Sequence, residues 1–307
     1  MGSSPSKLAV ILLAHGTPDK VSEIPEFLLQ VTGGRPVPPK VIEEVQHRYG
    51  LIGQSPLSCW TFEQRDLLAR QLGIPVYVGM RNWKPYIRDV VQEMQQDGIT
   101  RAIAICLAPQ NSRTSVGLYR AALHGDGGAP IEFDFVESWH DHPLLIRAFT
   151  EKLLKAWHRA CDQYGGTLPV IFTAHSVPVR TIAEGDPYEA QAKQTAQLVA
   201  GEAGFNAEGW TFAFQSQGMS GGAWLGPTVE DTISGLKDQG HSGVFIQPIG
   251  FLCDHVEILY DIDIGFKNFA KDRGMGLWRA ESLNASPLLT AALASLVRSR
   301  INVAQSV

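Results

Sequence analysis

The sequence is poor in cysteine and in charge, and each shortage excludes whole classes of protein. Its four cysteines, Cys59, Cys106, Cys161 and Cys253, are scattered through 307 residues without CxxC spacing. They offer neither a disulfide framework nor a thiolate cage for zinc or iron and sulfur, and they imply a reducing, cytoplasmic setting. Charged residues make up 19% of the chain, 26 basic against 31 acidic, for a net charge of -5. That balance gives a polyphosphate backbone no electrostatic reward, so nucleic acid is not an expected partner. Long apolar runs are lacking too. The run at 8–14 has a strand's length, and no window reaches the roughly 18 to 20 apolar residues of a spanning helix. Residues 1–7 are small and polar, without the apolar core of a signal peptide, so no secretion is expected. No Gly-x-Gly-x-x-Gly follows a strand-like run and no Gly-Lys-Ser/Thr loop occurs, which disfavours a nucleotide-dependent enzyme.

Apolar residues, by contrast, make up 44% of the chain, enough for a sizeable core, and the length suits two domains better than one. Short apolar runs at 8–14, 76–79, 102–108, 133–136, 170–174 and 244–248 alternate with longer stretches. Three of these, 85–96, 144–158 and 188–202, carry apolar residues at helical spacing. That rhythm predicts an α/β protein with a mainly parallel sheet in each domain and helices covering the sheets.

The chain also echoes itself. Leu12-Leu13-Ala14-His15-Gly16-Thr17-Pro18 resembles Phe172-Thr173-Ala174-His175-Ser176-Val177-Pro178, each a strand, then Ala-His, then a small-residue turn ending in proline. A second echo, in the same order, pairs Ile105-Cys106-Leu107-Ala108-Pro109 with Val244-Phe245-Ile246-Gln247-Pro248. Two similar halves are expected, 1–150 and 151–307, with the cut in the region 141–166 that ends near the turn Tyr164-Gly165-Gly166-Thr167. The first echo places His15 and His175 just past the carboxyl ends of first strands, where open α/β sheets hold ligands. His175 alone reads equally well as a core residue bonded to backbone, and His15 as the cap of a turn through Gly16 and Thr17.

The stretch from Gly250 to Asp261 follows another strand end. Glu257 and Asp261 lie four apart and share a face if a helix opens there. Like charges at that spacing repel, so the pair is more easily understood beside a cation, although a solvated helix face is the ordinary alternative. Imidazole and carboxylate together make a reasonable ligand set for ferrous iron, without the thiolates that would select copper or a cluster.

At this point a resemblance becomes specific. The segments are Thr173-Ala174-His175-Ser176-Val177-Pro178, Gly185-Asp186-Pro187-Tyr188, Gln215-Ser216, Trp224-Leu225-Gly226-Pro227 and Asp254-His255-Val256-Glu257-Ile258-Leu259-Tyr260-Asp261. They resemble the ferrochelatase family in motif and in order. The first half agrees through Gly16-Thr17-Pro18, Ser55-Pro56-Leu57, Gly79-Met80-Arg81 and Leu107-Ala108-Pro109 onward to Tyr119. The resemblance implies two Rossmann-like, chelatase-type domains, each with a four-stranded sheet flanked by helices, and a porphyrin held in the cleft between them. It implies a lyase of heme biosynthesis that inserts ferrous iron into a porphyrin, with iron as substrate, no tightly bound cofactor and no iron–sulfur cluster. The sequence given ends without the cysteine-bearing extension of some longer relatives. The similarity is to short, soluble bacterial enzymes. That favours coproporphyrin III over protoporphyrin IX, a monomer, and a transient contact with the enzyme that next handles the heme.

Residue by residue, the resemblance gives His175 as base and metal ligand and sets Glu257 opposite it across the tetrapyrrole plane, with Asp261 continuing the acidic line. Arg48, Tyr49, Ser55 and Tyr119 match residues that contact the macrocycle or its carboxylates. The bland readings are a surface Arg, a turn Ser and two core Tyr. His15 stands where short relatives often carry a tyrosine near the product iron, which makes it a candidate axial ligand. Asn82, Thr32, Gly33 and Gly265 depart from family positions that hold a histidine, arginines or a further carboxylate, and apolar Phe27, Leu28 and Leu29 form an expected substrate lip or partner surface. Two alternatives stand beside this one. A cobalt or nickel chelatase of a precorrin-type tetrapyrrole shares the strand-then-histidine opening but not the Glu257 segment. A noncatalytic porphyrin or heme carrier would use His15 alone.

Overall fold

The computed structural model describes residues 7–124, 131–217 and 222–305. Among these, eight strands form two four-stranded sheets. The first contains β1 (Leu8–Ala14), β2 (Val76–Met80), β3 (Arg101–Cys106) and β4 (Glu132–Val136) in the order β2-β1-β3-β4. The second contains β5 (Val170–His175), β6 (Trp210–Gln215), β7 (Gly243–Pro248) and β8 (Gly276–Arg279) in the order β6-β5-β7-β8. Every pairing is parallel. The central strands explain why: β1 is buried from Ala9 onward and β7 along its whole length, as expected of strands covered by helices on both faces.

The two sheets share one order, so β1 and β5 occupy equivalent places, as do β3 and β7. The internal echo of the sequence is thus an echo of topology, and the expected α/β architecture of two four-stranded parallel sheets is the observed one. The strands at 210–215 and 276–279 were not foreseen. Both lie at sheet edges, where a mixed composition suffices because one side of the strand meets solvent.

Two compact units divide the chain differently from the expected cut. One runs to Trp139 and takes in the chain again from Ala285, and the other is His140–Asn284. The cut at about 150 therefore falls inside the helix Pro143–Tyr164. The Gly165-Gly166 turn is this helix's carboxyl cap, with Gly165 at φ 78, and leads into β5 within the second unit. The last helix, Pro287–Gln305, belongs with the first unit: Arg300 pairs with Asp134 of β4 at 2.8 Å, and Leu289, Ala292, Leu293 and Val297 are buried. Among the described residues no helix is long and apolar enough to cross a membrane.

Candidate active site

His175 is the last residue of β5 and stands in register with Gln215 of β6. Its Nδ1 donates to the carbonyl of Ser176. A carbonyl can only accept, so the neutral ring carries its proton on Nδ1 and its lone pair on Nε2. Behind it, the buried Tyr188 donates its hydroxyl to the backbone carbonyl of His175 at 2.9 Å. Burial, then the charges of Glu257 and Asp186, push that phenol well above its ordinary range, so it remains a neutral donor.

The acidic segment reaches the same place from β7. Gly250 makes the approach: a Cβ there would stand 3.0 Å from Cα and Cβ of Ala174, the residue before His175. The chain then forms a one-turn helix, Val256–Leu259, and passes into a π-helix, Asp261–Phe266, an uncommon element that recurs at functional sites. Glu257 Oε1 lies 3.7 Å from His175 Nε2, and its Oε2 lies 3.8 Å from Nε2 of His255. His255 donates Nδ1 to the Cys253 carbonyl at 3.0 Å, so its lone pair also belongs to Nε2, and its ring packs on Phe251 with centroids 4.6 Å apart.

This geometry corrects one expectation. A macrocycle between His175 and Glu257 needs about 3.5 Å of clearance on each face, roughly 7 Å in all, and the two groups are 3.7 Å apart. As they stand, the two groups leave no room for a macrocycle between them and face each other directly as a pair.

A buried polar chain holds the pair. Thr173 donates to Gln215 Oε1 at 2.7 Å, and Gln215 Nε2 donates to the backbone carbonyl of Glu257 at 3.0 Å. Ser216 adopts φ 58, a left-handed conformation rare outside glycine, and its hydroxyl donates to the Asp261 carboxylate. Glu257 and Asp261 are thus each fixed from the end of β6. Gln215, Ser216 and His255 were quoted in the family motifs without being given a role.

The remaining candidates lie in the first unit, Arg48, Tyr49, Ser55 and Tyr119 on its helices and turns and His15 directly after the carboxyl end of β1. His15 is exposed there, and its Nδ1 donates to the carbonyl of Gly16 at 3.0 Å, the same next-residue bond that His175 makes. Gly16 has φ 84, and a Cβ there would meet Trp83 at 2.9 Å, so glycine is required. Tyr49 is buried on the helix Pro39–Ile52 with its hydroxyl 3.0 Å from that of Thr17. Tyr119 is buried on the helix Val116–His124, with the Arg81 guanidinium 6.0 Å over its ring, and burial raises its phenol's pKa. Arg48 pairs with Glu44 at 2.9 Å. Ser55 is buried, and its hydroxyl finds no hydrogen-bond partner among the described residues.

The expected lip is only partly a surface: Phe27 is buried edge-on to His15 and Trp83, whereas Leu29 is exposed. Thr32 donates to the carbonyl of Arg35, closing the turn after the helix Ile24–Val31.

Comparisons with known proteins bear on the family and the fold. The family model for Ferrochelatase matches residues 7–301. The chain is 55% identical to a ferrochelatase of Acidobacterium capsulatum, over 98% of this chain and 96% of that protein. It is 34% identical to a coproporphyrin III ferrochelatase of a Geobacillus species, over 97% and 99% of the two chains. Among solved structures, the sirohydrochlorin chelatase SirB of Bacillus subtilis subspecies spizizenii superposes with TM-score 0.55 over 95% of this chain and 94% of its own. At 10% identity that likeness speaks to fold alone. A family match over nearly the whole length, with relatives that align end to end, settles the assignment: the chain belongs to the ferrochelatase family, the lyases that insert iron into porphyrin.

Proposed function

We propose that this chain inserts ferrous iron into coproporphyrin III, with His175 as the base that takes the pyrrole protons and Glu257, continued by Asp261, as the acidic path for protons and metal. The observation that carries this reading is the approach of His175 Nε2 to within 3.7 Å of Glu257 Oε1. Nδ1 is committed to the Ser176 carbonyl, which leaves the lone pair on Nε2, 3.7 Å from Glu257. A free-base porphyrin carries two pyrrole protons, and the metal takes all four nitrogens only once both have left. Each proton moves from a pyrrole nitrogen to Nε2, forming an imidazolium beside a carboxylate that stabilises it and passes the proton outward. Two protons are released for each iron inserted, so charge balances.

The same pair suits a metal in passage. Donor atoms 3.7 Å apart can both reach one divalent ion, and imidazole with carboxylate matches ferrous iron. Among the described residues no group of three or more His, Cys, Asp or Glu is arranged to hold a metal, so further ligands would come from porphyrin nitrogens and water. The reading calls on no tightly bound cofactor and no iron–sulfur cluster.

Coproporphyrin III is favoured by the relatives that carry its name and by Arg48 and Ser55 as partners for propionates. An anaerobic assay with ferrous iron and each porphyrin should give a kcat/KM at least about tenfold higher for coproporphyrin III than for protoporphyrin IX. The reverse preference, for vinyl groups in place of two propionates, overturns the substrate assignment.

His15 is proposed as a ligand of the product iron, because its Nδ1 bond to Gly16 presents Nε2 as the lone-pair nitrogen. His15→Phe should remove the axial-nitrogen signature from the visible spectrum of the product complex. Identical spectra for the two proteins mean that His15 does not touch the iron.

A further inference from the structure

The bonds from Gln215 and Ser216 fix Glu257 and Asp261 within the acidic segment but not the segment's two ends. Its helix, Val256–Leu259, is a single turn with no side-chain bond at its amino cap, and one turn is far too short to sustain itself. Gln215 holds one backbone carbonyl within it. The flanks of the segment are held by a residue that no motif singled out.

That residue is Arg279, at the end of β8 in register with Ile246. Its guanidinium meets Asp263 with two parallel bonds, Nε to Oδ1 at 2.6 Å and Nη2 to Oδ2 at 2.7 Å. Nη1 turns the other way, to Asp254 Oδ1 at 3.3 Å and the carbonyl of Ala280 at 3.0 Å. Asp254 is fixed again by Ser282 and by Asn284, each donating at 2.9 Å, while its own backbone N–H donates to Asn284 Oδ1 at 2.9 Å. Asp254 precedes Glu257 and Asp263 follows Asp261, so one guanidinium ties both ends of the acidic segment to the sheet.

We propose that Arg279 is a positioning residue for iron insertion: by bridging Asp254 and Asp263 it holds Glu257 at its working distance from His175. The proposal rests on the reading of Glu257 given above and extends it. The chemistry favours arginine, because the bridge needs a planar fork on one carboxylate and a further N–H on another. Lysine keeps the charge but has no fork. Burial alone would favour loss of the Arg279 proton, yet the bonds and charges of Asp263 and Asp254 outweigh it and raise the pKa, so the bridge stays ionic.

A pair that only stabilised the fold would behave differently, and the distinction is measurable. If Arg279 acts through Glu257, its loss matters only while Glu257 is present. Arg279→Lys should lower the single-turnover rate of iron insertion roughly 10- to 100-fold, the scale expected of a misplaced catalytic group. The porphyrin KM should stay within about twofold, since the lost contact is not to substrate. In a Glu257→Gln background the same change should cost less than about twofold. Asp263→Asn, which keeps the shape of its partner and removes the charge, should behave alike and serves where Arg279→Lys does not fold. An equal loss in both backgrounds, or a wild-type rate in a folded Arg279→Lys, overturns the positioning role. A wild-type rate in Glu257→Gln alone would instead sink the reading of Glu257, so the two failures are distinct.

Discussion

His175→Ala is expected to lower kcat for iron insertion by on the order of 10²- to 10⁴-fold, the range lost with a positioned general base. Porphyrin affinity and stability should change little. The imidazole is about one-third exposed, at 34%, and Tyr188 bonds to the backbone carbonyl of residue 175, a contact that alanine keeps. The stability change should stay within about 1 kcal/mol, as for a substitution that opens no cavity in the core. The check is an anaerobic assay of kcat and KM for each substrate, beside a thermal melt. A folded variant whose kcat lies within tenfold of the native value removes His175 from the proton path.

The parts of the fold that were legible in the sequence are those fixed locally. β1 could be read because its seven residues form the continuous apolar run that a buried parallel strand favours. The echo about His15 and His175 could be read because equivalent strands end in equivalent turns. The structure extends it to a matching Nδ1 bond in each half. The edge strand Gly276–Arg279 could not, since four residues of mixed character satisfy an exposed edge. The return of the last helix to the first unit rests on pairs such as Arg300 with Asp134, 166 residues apart, for which no local pattern exists.

The site divides in the same way. His175 and Glu257 could be named from motifs, but their direct approach to each other is a distance of 3.7 Å, and only coordinates supply it. The π-helix is equally hidden, because its hydrogen bonds, such as Gly265 N–H to the Tyr260 carbonyl at 2.9 Å, are selected by what holds the segment at its ends. Arg279 was invisible for that reason: its partner Asp254 lies 25 residues away, and an arginine closing an edge strand carries no signature. The cluster then makes sense of the sequence. Asp254, Glu257, Asp261 and Asp263 place four acids within ten residues, and the structure bonds Asp254 and Asp263 to Arg279 while Glu257 faces His175 and Asp261 faces Ser216.

Glu257→Gln tests that separation most sharply. Glutamine has nearly the same shape, and the bond from Gln215 goes to the backbone carbonyl, so the segment should stay in place. What disappears is the charge that faces two lone-pair nitrogens, at 3.7 Å on His175 and 3.8 Å on His255. An imidazolium formed at His175 then loses its counter-charge, and ferrous iron loses its anionic ligand. kcat should fall by on the order of 10²- to 10⁴-fold, with a rise in the KM for iron and little change in that for porphyrin. Because both groups act on one event, the double variant with His175→Ala should be no slower than the worse single variant. Losses that multiply would place the two residues in separate steps, and a Glu257→Gln enzyme of native speed would leave His175 to find its proton acceptor elsewhere.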